Sequence, residues 1–247
     1  MSLRSCSGVC RGAMFLLLMA ALALHASAQT PAPPTLSLAQ ILEKMQLHDR
    51  RQKERLQSYH AVRHYHAEYR GYGKDIAAEM EVETNFDAAS GKNLRIVSQS
   101  GSKLLCDKVL RRAIESEREA AQDKGATALT PANYRFQLEG TESFDGHAAY
   151  ILDATPLKES KFLYRGKVWV DAADFAVMKI EVEPAKNPSF WLSRPRIHST
   201  SAKTGDFWLP KRMRSETKVR IGGIAIFTID YGVYQVVPDS SAHVSEN

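Results

Sequence analysis

The fold is decided by the stretch YRGKVWVD at Tyr164–Asp171 and by FAVMKIEVE at residues 175–183, which follows it closely. In both halves apolar residues alternate with polar ones, a pattern typical of β-strands with one buried face. The polar sequence Asp171-Ala172-Ala173-Asp174 between them suits a turn. The stretch therefore predicts a hairpin whose inward side chains are those of Val168, Val170, Met178, Ile180 and Val182.

Similar alternation extends from this hairpin in both directions along the chain. Met80 and Val82 share one face of an earlier strand, and Phe136 and Leu138 share one face of another. A sheet built from many one-sided strands needs a cover over its apolar face. The further predicted strands lie near residues 59–69, 75–86, 93–99, 134–143, 147–155, 194–203, 206–221 and 224–236.

Two helical segments are available to provide that cover. Ser37 and Gln40 fit a capping box, and the apolar stripe Leu38, Ile41, Leu42 and Met45 follows, in a helix predicted to run to about Gln57. A second helix is predicted over about 103–123. The sequence thus predicts an α+β fold, mainly antiparallel β, in which a curled sheet or incomplete β-barrel has helices covering its open concave side. Such a sheet can hold an apolar ligand.

Residues 1–28 have the three parts of a cleavable signal peptide. Arg4 and Arg11 precede an apolar run at 15–24, and Ala26-Ser27-Ala28 supplies the small residues of a cleavage site. The run is shorter than the roughly 20 residues of a membrane-spanning helix, which disfavours an anchor. We therefore expect export, a flexible linker at 29–36, a single domain at 37–237 and a flexible tail at 238–247.

The cysteines and the net charge bear on lipid attachment, disulfide bonds and possible partners. Cys6 and Cys10 lie before the apolar run, so neither is placed to carry a lipid, and Cys106 is left without a disulfide partner. The formal charge of +5 is a weak basic bias that does not indicate nucleic acid as a partner. We expect a monomer.

Catalytic motifs are scarce. The chain contains no HExxH, P-loop, GxGxxG or GxSxG sequence. Ser100-Gly101-Ser102-Lys103 and Lys203-Thr204-Gly205 match two of the three motifs of serine β-lactamases, but the third motif is missing. The sequence predicts that the protein is not an enzyme and that it needs no cofactor.

Two polar rows have a functional and a structural interpretation. His60, His64 and His66 project from one strand face and could bind zinc or copper, although a solvated outer face is the favoured interpretation. Arg212, Arg214, Lys218 and Arg220 alternate along another strand and could contact anionic headgroups, although the wet side of a half-buried strand is favoured. No metal site is predicted.

Adjacent aromatic residues occupy two predicted loops. Phe190 and Trp191 follow one strand, and Phe207 and Trp208 lie in a later connection. Bulky rings in loops either plug the end of a core or line the mouth of a binding cavity, and the sequence favours neither.

The hairpin, with its pattern G-x-V-W-V-D followed by V-M-K-I, resembles the LolA/LolB-like superfamily of periplasmic outer-membrane lipoprotein-sorting proteins. The resemblance implies an incomplete antiparallel barrel, closed by helices, around a cavity that takes acyl chains. It suggests a periplasmic carrier of a lipoprotein acyl chain or another lipid, with envelope membrane proteins as further partners. The alternative is an envelope structural or protein-binding module whose core is filled by its own side chains. Strand parity and the aromatic loops select these lipid-binding candidates: Met80, Val82, Phe136, Leu138, Val168, Val170, Met178, Ile180, Phe190, Trp191 and Trp208.

Overall fold

A computed structural model describes residues 35–71, 73, 75–122, 124–187, 190, 192–220 and 222–238. The predicted signal peptide and Trp191 lie outside the described residues. So do most of the predicted linker and all but the first residue of the predicted tail. No helix in the described ranges is long and apolar enough to cross a bilayer.

Eleven antiparallel strands form one sheet. The order across it is β3-β2-β1-β10-β9-β8-β7-β6-β5-β4, with β11 added alongside β1, so β3 and β4 are the two edges and the barrel stays open. The predicted fold class, an antiparallel curled sheet with helices against it, is confirmed. The strands are β1 (Leu56–Arg70), β2 (Ile76–Asp87), β3 (Gly91–Gly101), β4 (Tyr134–Phe144), β5 (His147–Pro156), β6 (Tyr164–Asp171), β7 (Val177–Pro184), β8 (Arg196–Thr204), β9 (Phe207–Lys218), β10 (Ile224–Tyr231) and β11 (Gln235–Pro238).

Helix α1 (Leu38–Arg55) starts where its capping box predicts. The Gln40 backbone N–H donates to Ser37 Oγ at 3.3 Å, and Ser37 N–H donates to Gln40 Oε1 at 2.9 Å. Ile41 and Met45 of its apolar stripe are buried against β4, β5 and β6. Helix α1 therefore covers the half of the sheet that contains the β6–β7 hairpin.

The second helical segment connects the two edges of the sheet. It consists of α2 (Lys103–Leu105), a π-helical turn (Cys106–Leu110), α3 (Arg111–Gln122) and α4 (Lys124–Thr127). Leu105, Leu110 and Ile114 bury one face of it against β1, β2 and β3. The Cys106 thiol is buried in the same contact and faces the Ser100 carbonyl at 3.5 Å.

Two apolar clusters therefore share the concave side of the sheet. One joins α1 to β4, β5, β6 and β7, and the other joins the second helical segment to β1, β2, β3 and β10. A buried Ile, Leu or Val side chain contributes about 1.5–3 kcal/mol, so these two clusters hold both helical segments on the sheet.

The predicted inward face of β7 is wrong at one position. Val168 pairs with Ile180, but Val170 pairs with Val177, which leaves an extra residue in β7 between them. This β-bulge turns Met178 to the opposite side of the sheet, where it packs with Trp169 and Trp208. Val177 takes the inward place predicted for Met178.

Leu138, a lipid-binding candidate, lies outside the buried core. Leu138 pairs with the buried Leu152 but is itself 39% exposed. It lies on the edge strand β4, beside a bulge between Leu138 and Gly140, and an edge strand has a neighbour on one side only.

Candidate functional site: an apolar cleft in the concave face

An apolar cleft of about 350 Å³ lies on the concave side of β6 and β7. Its volume falls at the lower end of the roughly 300–1,000 Å³ that ligand pockets occupy. Among the described residues, no charged side chain lines it. The lining residues are Ala120, Thr127, Leu129, Tyr134, Ala154, Phe162, Tyr164, Val168, Val177, Ile180 and Val182.

The floor of the cleft is the β6–β7 hairpin. Val168 and Ile180 are cross-strand partners, so their side chains lie next to one another on the concave face. Val177 and Val182 extend this floor along β7 in both directions. The alternation that predicts the hairpin from sequence thus also makes one face of it apolar.

The opposite wall comes from the chain between α3 and β4. Leu129 packs from this segment against the cluster that α1 forms with the sheet. Ala120 and Thr127 continue the same wall from the second helical segment. The cleft is therefore enclosed by two parts of the chain that are far apart in sequence.

Thr127 and two tyrosines supply polar side-chain atoms near the cleft. The Tyr134 hydroxyl accepts a hydrogen bond from the Tyr164 backbone N–H at 3.2 Å. Burial raises the pKa of both phenols, which keeps them neutral near pH 7. The lining is therefore uncharged and suited to an aliphatic chain.

A second, smaller cleft of about 170 Å³ continues beneath α1. Its lining includes Met45 and Phe175, together with polar side chains of α1. Leu129 and Val177 line both clefts, so these two side chains form the partition between them.

The other half of the concave face is closed by a buried charge cluster. The Arg63 side chain is only 2% exposed, and its Nη1 donates to Glu117 Oε2 on α3 at 2.8 Å. Lys92 Nζ donates to the other Glu117 oxygen at 2.8 Å, and the Arg63 guanidinium lies 4.9 Å from the Tyr231 ring centre. Burial by itself would raise the pKa of Glu117, but the Lys92 and Arg63 cations hold it below its usual value. This half contains a fixed charge network and is unsuited to an acyl chain.

The structure brings together only part of the predicted binding set. Val168 and Ile180 line the apolar cleft, while Val170 and Phe136 are buried in the cluster around it. Met80 and Val82 are buried in the other cluster, beneath the second helical segment.

The remaining candidates lie elsewhere. Met178 and Trp208 pack on the opposite side of the sheet, where the Trp208 indole donates to Asp174 Oδ2 at 2.8 Å. Trp208 is therefore part of a small apolar cluster on the side of the sheet that faces away from the cleft. Phe190 is 71% exposed, with the Arg220 guanidinium 4.8 Å from its ring centre.

Sequence reasoning missed several cleft residues. Leu129 lies in a connection without periodicity, so no sequence pattern marks it. Tyr134 has the same strand parity as Phe136, and that parity was a usable signal. Phe162 and Tyr164 lie at a loop-to-strand boundary, where one side chain cannot be assigned to a face from sequence.

The alternative chemical motifs do not assemble into a site. His64 and His66 face Glu81 and Glu79 across β1 and β2, with Nδ1–Oε1 distances of 3.4 and 3.5 Å. Among the described residues no three His, Cys, Asp or Glu side chains form a group that could hold a metal ion. Ser100 lies near the end of the edge strand β3, whereas Lys203 lies on β8 and binds Asp174 at 2.7 Å.

Comparison with known proteins gives structural neighbours but no sequence relatives. No family model and no curated protein matches the chain. A DUF1329 family protein from Desulfovibrio piger is 15% identical, with 86% of this chain and 96% of that chain covered and a TM-score of 0.40. The LolA superfamily protein NE2245 from Nitrosomonas europaea is 14% identical, with 86% and 99% covered and a TM-score of 0.39. A putative outer membrane lipoprotein-sorting protein domain from Vibrio parahaemolyticus is 11% identical, with 83% and 93% covered and a TM-score of 0.40.

Two of these three neighbours carry names from the superfamily that the β6–β7 hairpin resembles in sequence.

Proposed function

We propose that this protein is a periplasmic carrier that binds one acyl chain, of a lipoprotein or another lipid, in the apolar cleft on β6 and β7. The observation that supports the proposal is the uncharged lining of a cleft of about 350 Å³. Binding needs no covalent chemistry, because each buried methylene contributes about 0.8 kcal/mol. The predicted signal peptide supports the compartment, and the resemblance of the hairpin supports the class of cargo.

A matched pair of Val→Trp substitutions tests the proposal. Val182 lines the cleft, whereas Val97 lies on the edge strand β3 and is 51% exposed. Delipidated wild type and Val97→Trp should bind a fluorescent fatty acid saturably and with equal Kd. Val182→Trp should bind at least about tenfold more weakly, because the indole fills space that the chain would occupy. Absence of saturable binding by the wild type would contradict the proposal.

The second candidate is a structural or protein-binding envelope module with a self-filled core. The half of the concave face under the second helical segment favours it, because an apolar cluster and the buried Arg63–Glu117 pair fill it with the chain's own side chains. Under this hypothesis neither Val→Trp variant changes any lipid binding, and a pull-down from envelope extract recovers protein without lipid.

A further inference from the structure

Strand direction places four short connections at one end of the sheet, where the second helical segment, between β3 and β4, also starts and ends. Neighbouring strands alternate in direction, so β1, β5, β7 and β9 all end where β2, β6, β8 and β10 begin. The described residues of the connections 71–75, 157–163, 185–195 and 219–223 therefore lie together, and we name them the basic end. The connections at 88–90, 145–146, 172–176, 205–206 and 232–234 lie at the opposite end.

The short connections at the two ends differ in charge. Those at the opposite end carry Asp145, Asp174 and Asp206, of which Asp174 binds Lys203 and Asp206 binds Arg55 at the end of α1, both at 2.7 Å. Among the described residues of the basic end, five cations accompany two carboxylates, those of Asp75 and Glu159. The cations are Lys158, Lys161, Lys186, Arg194 and Arg220.

Three of these cations are exposed and make no ion pair with a described carboxylate. Lys161 and Arg194 bind Glu119 and Glu183, at 2.6 and 3.6 Å. The other three, Lys158, Lys186 and Arg220, come from three different connections. Their charge is therefore spread over the whole end.

Large apolar side chains are exposed between these cations. Phe190 is 71% exposed beneath Arg220, and Leu157 is 55% exposed beside Lys158. Exposed apolar side chains beside cations fit a layer of anionic headgroups above hydrocarbon better than they fit water.

The apolar cleft reaches the same end. Phe162 belongs to the connection at 157–163, Tyr164 begins β6, and Val182 lies close to the end of β7. A chain that leaves a bilayer at the basic end would meet the cleft lining directly.

We infer that the basic end docks on the surface of a bilayer that carries anionic headgroups. The inference deepens the proposed function and rests on it for the role of the cleft, whereas docking itself is a separate property. Headgroup phosphates are bound by Lys158, Lys186 and Arg220, and Phe190 and Leu157 enter the boundary between headgroups and chains.

Co-sedimentation of the full chain with vesicles tests the docking. Phosphatidylcholine vesicles that contain phosphatidylglycerol should bind the protein, increasingly so as salt is lowered, and pure phosphatidylcholine vesicles should bind it at least about tenfold more weakly. The triple variant Lys158→Glu, Lys186→Glu, Arg220→Glu should lose at least about tenfold in vesicle affinity.

A control variant with the same net charge as the triple variant shows whether vesicle binding depends on cations at the basic end or only on the net charge of the protein. Arg50→Glu, Arg51→Glu, Lys211→Glu makes the same change in net charge at exposed positions outside the basic end. This control should retain wild-type vesicle affinity. Phe190→Ser, which changes no charge, should weaken binding several-fold because it removes the inserted ring.

The outcomes distinguish the two proposals. Equal loss in the basic-end variant and in the control, or no binding to either kind of vesicle, would overturn the docking. Every variant should still bind a soluble fluorescent fatty acid like the wild type. If the wild type binds vesicles but does not bind the fatty acid, only the carrier proposal is contradicted.

Discussion

The packing of α3 on the sheet depends on the buried residue Arg63. Its guanidinium is buried between the sheet and α3, and its Nε has no hydrogen-bond partner among the described residues. A buried charge is tolerated only when it is paired. Glu117 supplies that pair and so fixes α3 against β1.

Glu117→Leu should destabilise the protein by about 3 kcal/mol, because it leaves Arg63 buried without a counter-charge. The double variant Arg63→Met, Glu117→Leu should recover most of this loss, since the buried charge is removed as well. Chemical denaturation of wild type, both single variants and the double variant measures the cycle.

Glu115→Leu on the same helix is the control. Its carboxylate binds Arg112 at 3.1 Å on the surface, where ion pairs contribute at most about 1 kcal/mol. A Glu117→Leu cost equal to this control, or a double variant no more stable than Glu117→Leu, would contradict the role of Arg63.

The same pair predicts how stability depends on pH. Folding lowers the pKa of Glu117 from its usual 4.5, so the carboxylate contributes stability above about pH 4.5 and loses it as the pH falls through the lower, folded-state pKa. The free energy of unfolding of the wild type should exceed that of Glu117→Gln near pH 7, and the gap should narrow below about pH 4.5. Denaturation at several pH values checks this, and a constant gap would contradict it.

At the scale of elements, the bulge in β7 decides which side chains reach the cleft. The bulge turns the Met178 side chain to the opposite side of the sheet, and it places the Val177 side chain on the concave side, near Ile180. The floor of the cleft therefore depends on one extra residue in one strand.

The bulge predicts a difference between two neighbouring methyl groups. With a spin-labelled fatty acid bound, the NMR signals of the Val177 methyls should broaden strongly because they line the cleft. The Met178 methyl should broaden much less, because it lies across the sheet. Equal broadening, or stronger broadening of Met178, would show that the bulge is misassigned.

Leu129 sets the length of the cleft, because it lies between the larger cleft and the one beneath α1. Leu129→Ala should join the two clefts. The affinity for saturated fatty acids should then keep rising with chain length beyond the length at which the affinity of the wild type levels off. Each further methylene that becomes buried adds about 0.8 kcal/mol, or roughly fourfold in Kd. Titrations across a series of chain lengths measure this.

Leu157→Ala provides the comparison, because Leu157 is exposed and does not line either cleft. It should keep the wild-type length dependence. An unchanged length dependence in Leu129→Ala would mean that Leu129 is not a partition.

Local sequence signals predicted the elements well. The Ser37–Gln40 box places the start of α1, and two-residue alternation reveals every strand up to β9, because caps and strand faces depend on neighbours in sequence. The predicted strand at 224–236 is interrupted at Gly232, whose N–H donates to the Val62 carbonyl at 2.8 Å between β10 and β11.

The site was predicted less completely, for a physical reason. Met178 was misplaced because a bulge is a property of strand pairing. Leu129 and Glu117 were missed because their contacts, with the β6–β7 hairpin and with Arg63, join parts of the chain that are distant in sequence. Side-chain parity predicts a face only as far as the register is unbroken.

At the scale of the whole molecule, the concave face divides into two unlike halves. The half under α3 holds a paired buried charge, and the half under α1 holds an uncharged cleft. One half is therefore filled by the protein's own side chains, while the other half has room for a ligand. This division is the central claim of the carrier proposal.

Mass spectrometry of lipids extracted from natively purified protein tests that claim most directly. The wild type and Val97→Trp should each yield about one acyl-bearing molecule per chain, and Val182→Trp should yield far less, because only its indole fills the cleft. Absence of lipid from the wild type, or equal lipid in Val182→Trp and the wild type, would contradict the account.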